Sequence, residues 1–180
     1  MLRLINLLAL LGAVAWLARA PDWEPGITAL GLLGSLLAQE YPRLQKHRDR
    51  DRALYLQFKE QFPSGGRAAN FLRDHDIGGS FSTDTLDELD GFLHRWTDAE
   101  HEFIDRRLEE ARKILLIVGN EFRRKLSTAI TLDRYGRYSI GLHDMEMRPE
   151  MLRLQTDLNR LASRVFRAHQ NFVRVGARLE

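Results

Sequence analysis

The chain has 180 residues, of which 44% are apolar and 29% charged, with a formal net charge of +2 and no cysteine. Such a composition excludes a disordered tail and describes one ordinary domain plus an appendage. The missing cysteines remove disulfides, thiol catalysis and thiolate metal sites, and so small a net charge does not by itself argue for nucleic-acid binding.

In chain order, two apolar runs come first, LINLLALLGAVAWLA over 4–18 and GITALGLLGSLLA over 26–38, joined by the polar turn RAPDWEP. As helices they would be about 22 Å and about 20 Å long, short of the roughly 30 Å of a bilayer's hydrocarbon core. The flanking charges nevertheless suggest a transmembrane helical hairpin. Arg3 precedes the first run, and Arg43, Lys46, Arg48, Arg50 and Arg52 follow the second, while Arg19 sits in the turn beside Asp22 and Glu24. That bias predicts both termini and the soluble domain cytoplasmic, with Trp16 and Trp23 at the membrane interface, and the inner-membrane location comes with the layout resemblance given below. Two other readings compete. Ala18-Arg19-Ala20 imitates a signal-peptide cleavage site, and short apolar runs also suit a buried core hairpin. Ala9 with Ala13, Gly31 with Ser35 and Gly34 with Ala38 stand four apart, so each pair shares a helix face where backbones can approach closely. Those faces serve either self-association or packing within the hairpin.

Pro42 is placed to open a helix reaching Gln61, whose first part, RLQKHRDRDR, is charged all round and reads as a neck over 42–62. Residues 63–180 then read as a helical bundle. Pro63-Ser64-Gly65-Gly66 ends the neck without forming a phosphate loop, because no Lys-Ser/Thr pair follows the glycines. The cluster Arg73-Asp74-His75-Asp76 reads as a capping and loop-anchoring network, since adjacent residues on a helix do not share a face. Ser82 to Asp84 open a helix carrying Leu86, Leu89, Leu93 and Trp96, and Thr97-Asp98-Ala99-Glu100 matches a capping box that predicts a new helix directly after 97. That box sits among His94, Asp98, His101 and Asp105 and argues against their convergence on a metal. No cofactor or metal is expected.

Residues 133–147 lack a helical stripe. Their interleaved Arg134, Tyr135, Arg137 and Tyr138 suit either a ligand or partner loop, able to stack on and neutralise a nucleotide, or tyrosines anchoring a connection to the core. A last helix follows Pro149 with Leu154, Leu158, Leu161, Val165, Ala168, Phe172 and Val175 alternating by four and three, a heptad seam for a bundle or an oligomer. Charge is uneven. Ten acids face three arginines over 84–110, and seven arginines face three acids over 148–180. The two segments could pack together, pair between protomers or leave a basic helix free for phosphate.

Within the last helix, Arg164-Val165-Phe166-Arg167-Ala168-His169 resembles the active-site signature of the HEPN ribonucleases. That resemblance implies Arg164 and His169 acting on an RNA phosphodiester across a dimer, although Val165 replaces the polar residue common after the arginine. In layout, the hairpin with its Trp23-Glu24-Pro25 turn, the helical remainder and the small size resemble membrane-anchored effectors of bacterial antiphage systems, retron-associated and CRISPR-accessory proteins among them. This resemblance implies a toxic subunit that disrupts the inner membrane once infection is sensed. The resulting expectation is an all-α, membrane-anchored homo-oligomer without catalysis, with the lipid bilayer and a regulatory protein or nucleoprotein as partners. The alternatives are a tethered HEPN-like ribonuclease and a non-toxic scaffold or adaptor.

Overall fold

The computed structural model describes residues 2–19, 23–74, 76–132, 136–140 and 148–180. Among them stand six α-helices: α1 (Leu2–Arg19), α2 (Trp23–Gln61), α3 (Arg67–Asp74), α4 (Thr83–Arg95), α5 (Arg106–Ser127) and α6 (Arg148–Gly176). They divide into two compact units, residues 1–49 and 50–180.

The first unit overturns the membrane hairpin. Among the described residues no helix is long and apolar enough to cross a membrane. The second apolar run is only the start of α2, a 39-residue helix that passes through Pro42 without a new start and carries Gln39, Glu40 and the basic cluster on the same rod. An apolar stretch that brief leaves a span short of hydrocarbon thickness. The transmembrane assignment therefore fails, and with it the inner-membrane location and the cytoplasmic orientation.

The second unit is the helical bundle that the periodicity predicts. From α2 come Tyr55 and Phe58, with Phe62 just past its end, from α4 Leu86, Leu89, Phe92 and Leu93, with Trp96 as its C-cap, and from α5 Leu108, Ala111, Leu115 and Phe122, all buried. In α6 the buried residues are Leu158, Leu161, Ala162, Val165, His169, Phe172 and Gly176, so Leu158, Leu161, Val165 and Phe172 of the expected seam are buried, while His169 and Gly176 replace Ala168 and Val175. This stripe is used inside the chain, where α6 pairs mainly with α5 and also with α3. A β-carbon on Gly176 would lie 2.1 Å from the Tyr55 ring, so only glycine lets α6 end against α2, where the Tyr55 hydroxyl donates to the Val173 carbonyl at 3.0 Å.

Added to the bundle is a small antiparallel sheet in the order β1-β3-β2, from β1 (Phe81–Ser82), β2 (Ile130–Leu132) and β3 (Arg137–Ile140). Phe81 pairs with Tyr138, and Ile130 with Ile140. Gly136, at φ +72°, supplies the left-handed conformation just before β3.

A break follows α4 as expected, but α5 begins only at Arg106, not directly after 97. Thr97 does not cap a helix; its hydroxyl donates back to the Leu93 carbonyl at 2.8 Å. The cap is Asp105, whose carboxylate accepts from the amides of Arg107 (2.8 Å) and Leu108 (3.1 Å). The reason lies far away in sequence. Buried Asp51 of α2 accepts from the amides of Ile104 (2.9 Å) and Asp105 (2.7 Å), and Glu109 accepts from that of Phe103 (3.0 Å). With those amides committed, 103–105 cannot wind into the helix.

Candidate functional site

The Arg164 and His169 pair does not converge. Five residues apart on α6, they project about 140° from each other at 100° per residue. Arg164 points outward to Glu121 at 3.3 Å, whereas His169 is fully buried. Its Nε2–H donates to the Phe62 carbonyl at 2.9 Å, its Nδ1 accepts from the Gln170 amide at 3.2 Å, and the ring packs 4.5 Å from that of Phe62. Both nitrogens are thus satisfied in the neutral form. Burial, only partly offset by the Phe62 hydrogen bond, holds the imidazole pKa below its ordinary value.

The sign of the pH dependence follows. The unfolded state takes up a proton near pH 6.5 while the folded state resists, so stability is full above that pH and falls as pH drops toward the lower folded value. Thermal melts between pH 7.5 and 5.0 are expected to show this loss, and His169→Gln is expected to flatten the profile above pH 5. An unchanged profile in the variant would assign the dependence to other groups.

Of the loop candidates, Arg134 and Tyr135 lie outside the described residues. Arg137 donates to the Ser80 carbonyl at 2.9 Å and, with Arg67 and Asp74, lines an open cleft of about 390 Å³. Tyr138 is half-buried with its ring 6.1 Å from that of Phe81. Of the other clustered groups, His75 is outside the described residues, Asp74 is held by Arg73 at 2.7 Å, and Asp76 accepts from Gln155 (2.6 Å) and Asn159 (2.9 Å) of α6. His101 is buried against Trp96, Asp105 is spent as a cap, and His94 and Asp98 are exposed.

The opposed charge segments do not pair with each other among the described residues. The carboxylates of Asp84 and Asp90 go to Arg67 and Arg123, and Glu109 and Glu110 pair along α5 with Arg112 and Arg106.

The N-terminal unit presents the other candidate. Ala13 is buried, but Ala9, Gly31, Gly34, Ser35 and Ala38 are exposed. A β-carbon at Gly31 or Gly34 would meet nothing within 4 Å. Trp16 is half exposed on α1, and Trp23, the first residue of α2, has a side chain outside the described ones. On α2, Ile27, Leu30, Gly34, Leu37, Tyr41 and Leu44 recur by three and four, and the five with side chains are each 60–69% exposed. This is a heptad seam about 26 Å long, left exposed among the described residues. The sequence reading missed it by ending the run at Ala38 and starting a new helix at Pro42, although the spacing continues to Leu44. Comparison with protein-family models, with curated proteins and with solved structures finds no match to this chain.

Proposed function

We propose that the chain is a self-associating helical interaction protein without catalysis, in which α2 pairs with α2 of a second copy. The observation that carries this reading is the exposed seam from Ile27 to Leu44. Six positions at heptad spacing form the surface that a coiled coil buries, and a contiguous exposed apolar stripe of this kind marks an interaction site. The occupant is a second copy because the pairing is self-complementary. Residues 26–38 carry no charge to repel an identical helix, and the open Gly31, Gly34 and Ser35 let two backbones approach. A two-fold pairing presents the same stripe from both sides. The exposed Leu8 and Leu11 of α1 extend the apolar surface.

The test is the mass of the full chain in solution by light scattering. The native protein is expected as a dimer or larger, and Leu30→Asp combined with Leu37→Asp as a 20.9 kDa monomer with unchanged melting of the 50–180 bundle. A native protein that stays monomeric at tens of micromolar would reject the proposal.

A further inference from the structure

Arg153, Arg160, Arg164, Arg167 and Arg174 are all exposed on α6, spaced by seven, four, three and seven. At 100° per residue they fall within an arc of about 80° and run about 32 Å along the helix. Arg178, also exposed, follows in the 3-10 turn after α6. Two of the six have acidic partners, Arg160 with Asp157 at 3.1 Å and Arg164 with Glu121 at 3.3 Å. Arg153, Arg167, Arg174 and Arg178 have no ion pair with a described carboxylate. On the neighbouring helix, Lys125 also reaches Asp157, at 2.7 Å, so α5 adds positive charge at the edge of the stripe.

A solvated helix face ordinarily mixes signs, because like charges three and four apart repel. Here the repeat is of one sign, and residues 148–180 contain arginine but no lysine. The guanidinium fork matches a phosphate through two parallel hydrogen bonds, which an ammonium does not.

We infer that this stripe binds the sugar–phosphate backbone of a duplex nucleic acid without reading its sequence. A duplex is favoured over a single strand because the stripe offers no exposed aromatic ring for base stacking. Between its arginines stand Thr156, Ser163 and Asn171, while Phe166 is half-buried against the core with Arg73 over its ring and Phe172 is fully buried. Phosphodiester is shared by DNA and RNA, and the stripe recognises that group. The inference is independent of the α2 seam.

The test is fluorescence anisotropy of the full chain with labelled DNA and RNA duplexes of about 20 base pairs, long enough to cover the stripe. Binding to one or both is expected, with a slope of log affinity against log salt between about −3 and −5. Replacing Arg153, Arg167, Arg174 and Arg178 together by glutamine is expected to weaken binding by about a hundredfold or more and to flatten the slope by about 3. The fourfold lysine variant keeps the charge and is expected to bind within about tenfold of the native chain. Circular dichroism checks that both variants keep the native helix content. No duplex binding by the native protein, equal binding by the folded glutamine variant, or preference for phosphatidylglycerol vesicles over both duplexes would overturn the inference.

Discussion

Phe58→Ala is expected to lower the stability of the 50–180 unit by about 3–5 kcal/mol, the largest loss from any single substitution considered. Phe58 is fully buried where α2, α4 and α6 meet. Its ring lies 4.4 Å from that of Phe172, 5.4 Å from Trp96 and 5.6 Å from Phe92, the last two edge-on. Truncation removes the apolar area and also opens a hole walled by rigid rings, which cannot collapse into it as a flexible aliphatic core could. Edge-on pairs add about 0.5–1.5 kcal/mol beyond area, and the substitution removes three of them, a pair with Phe62 at 6.2 Å included. Urea denaturation followed by far-ultraviolet circular dichroism measures the loss. A change below about 1 kcal/mol would show that α2 does not hold the bundle together.

Asp51→Ala is expected to cost about 2–4 kcal/mol, because two partly buried amides lose a charged acceptor at once. Asp51→Asn is expected to recover only part of this. An amide side chain offers one acceptor oxygen and turns an NH2 toward the second donor. The loss should be local before it is global. With Ile104 and Asp105 released, hydrogen exchange at those two amides is expected to speed up more than exchange in the middle of α5. Uniform acceleration across the bundle would instead mean that the segment has no separate anchoring. Beside it, Glu109 is held below the usual carboxylate range. Its burial acts the other way, and the hydrogen bonds from Arg112 and the Phe103 amide outweigh it.

How much was legible depended on the range of the forces involved. The bundle was readable because each core helix carries its own stripe, and Leu86, Leu89, Leu93 and Trp96 bury as their spacing predicts. The start of α5 was not readable. Thr97 to Glu100 satisfies a local capping rule, yet a carboxylate some fifty residues upstream claims the amides of 104 and 105. The sheet escaped notice for a related reason. Strands of two to four residues have no period to detect, and they exist through pairing across the chain. In α6 Leu158, Leu161, Val165 and Phe172 bury as expected, but His169 was read as lying beside the seam, because apolarity alone passes over a histidine whose ring nitrogens are both hydrogen-bonded.

The same division applies to function. By itself the sequence determined that the chain is helical and that two nearly uninterrupted apolar runs lie in the first forty positions. It also determined that arginines crowd the last helix. These are properties of composition and spacing, set residue by residue. Tertiary structure alone decided what each surface faces. Among the described residues His169 is fully buried, the α6 seam is covered within the bundle, the α2 seam is exposed, and the basic stripe makes no ion pair with the acidic segment. Exposure is a property of the whole packing, since a stripe of leucines or arginines has the same spacing whether it is covered by its own chain or left for another molecule.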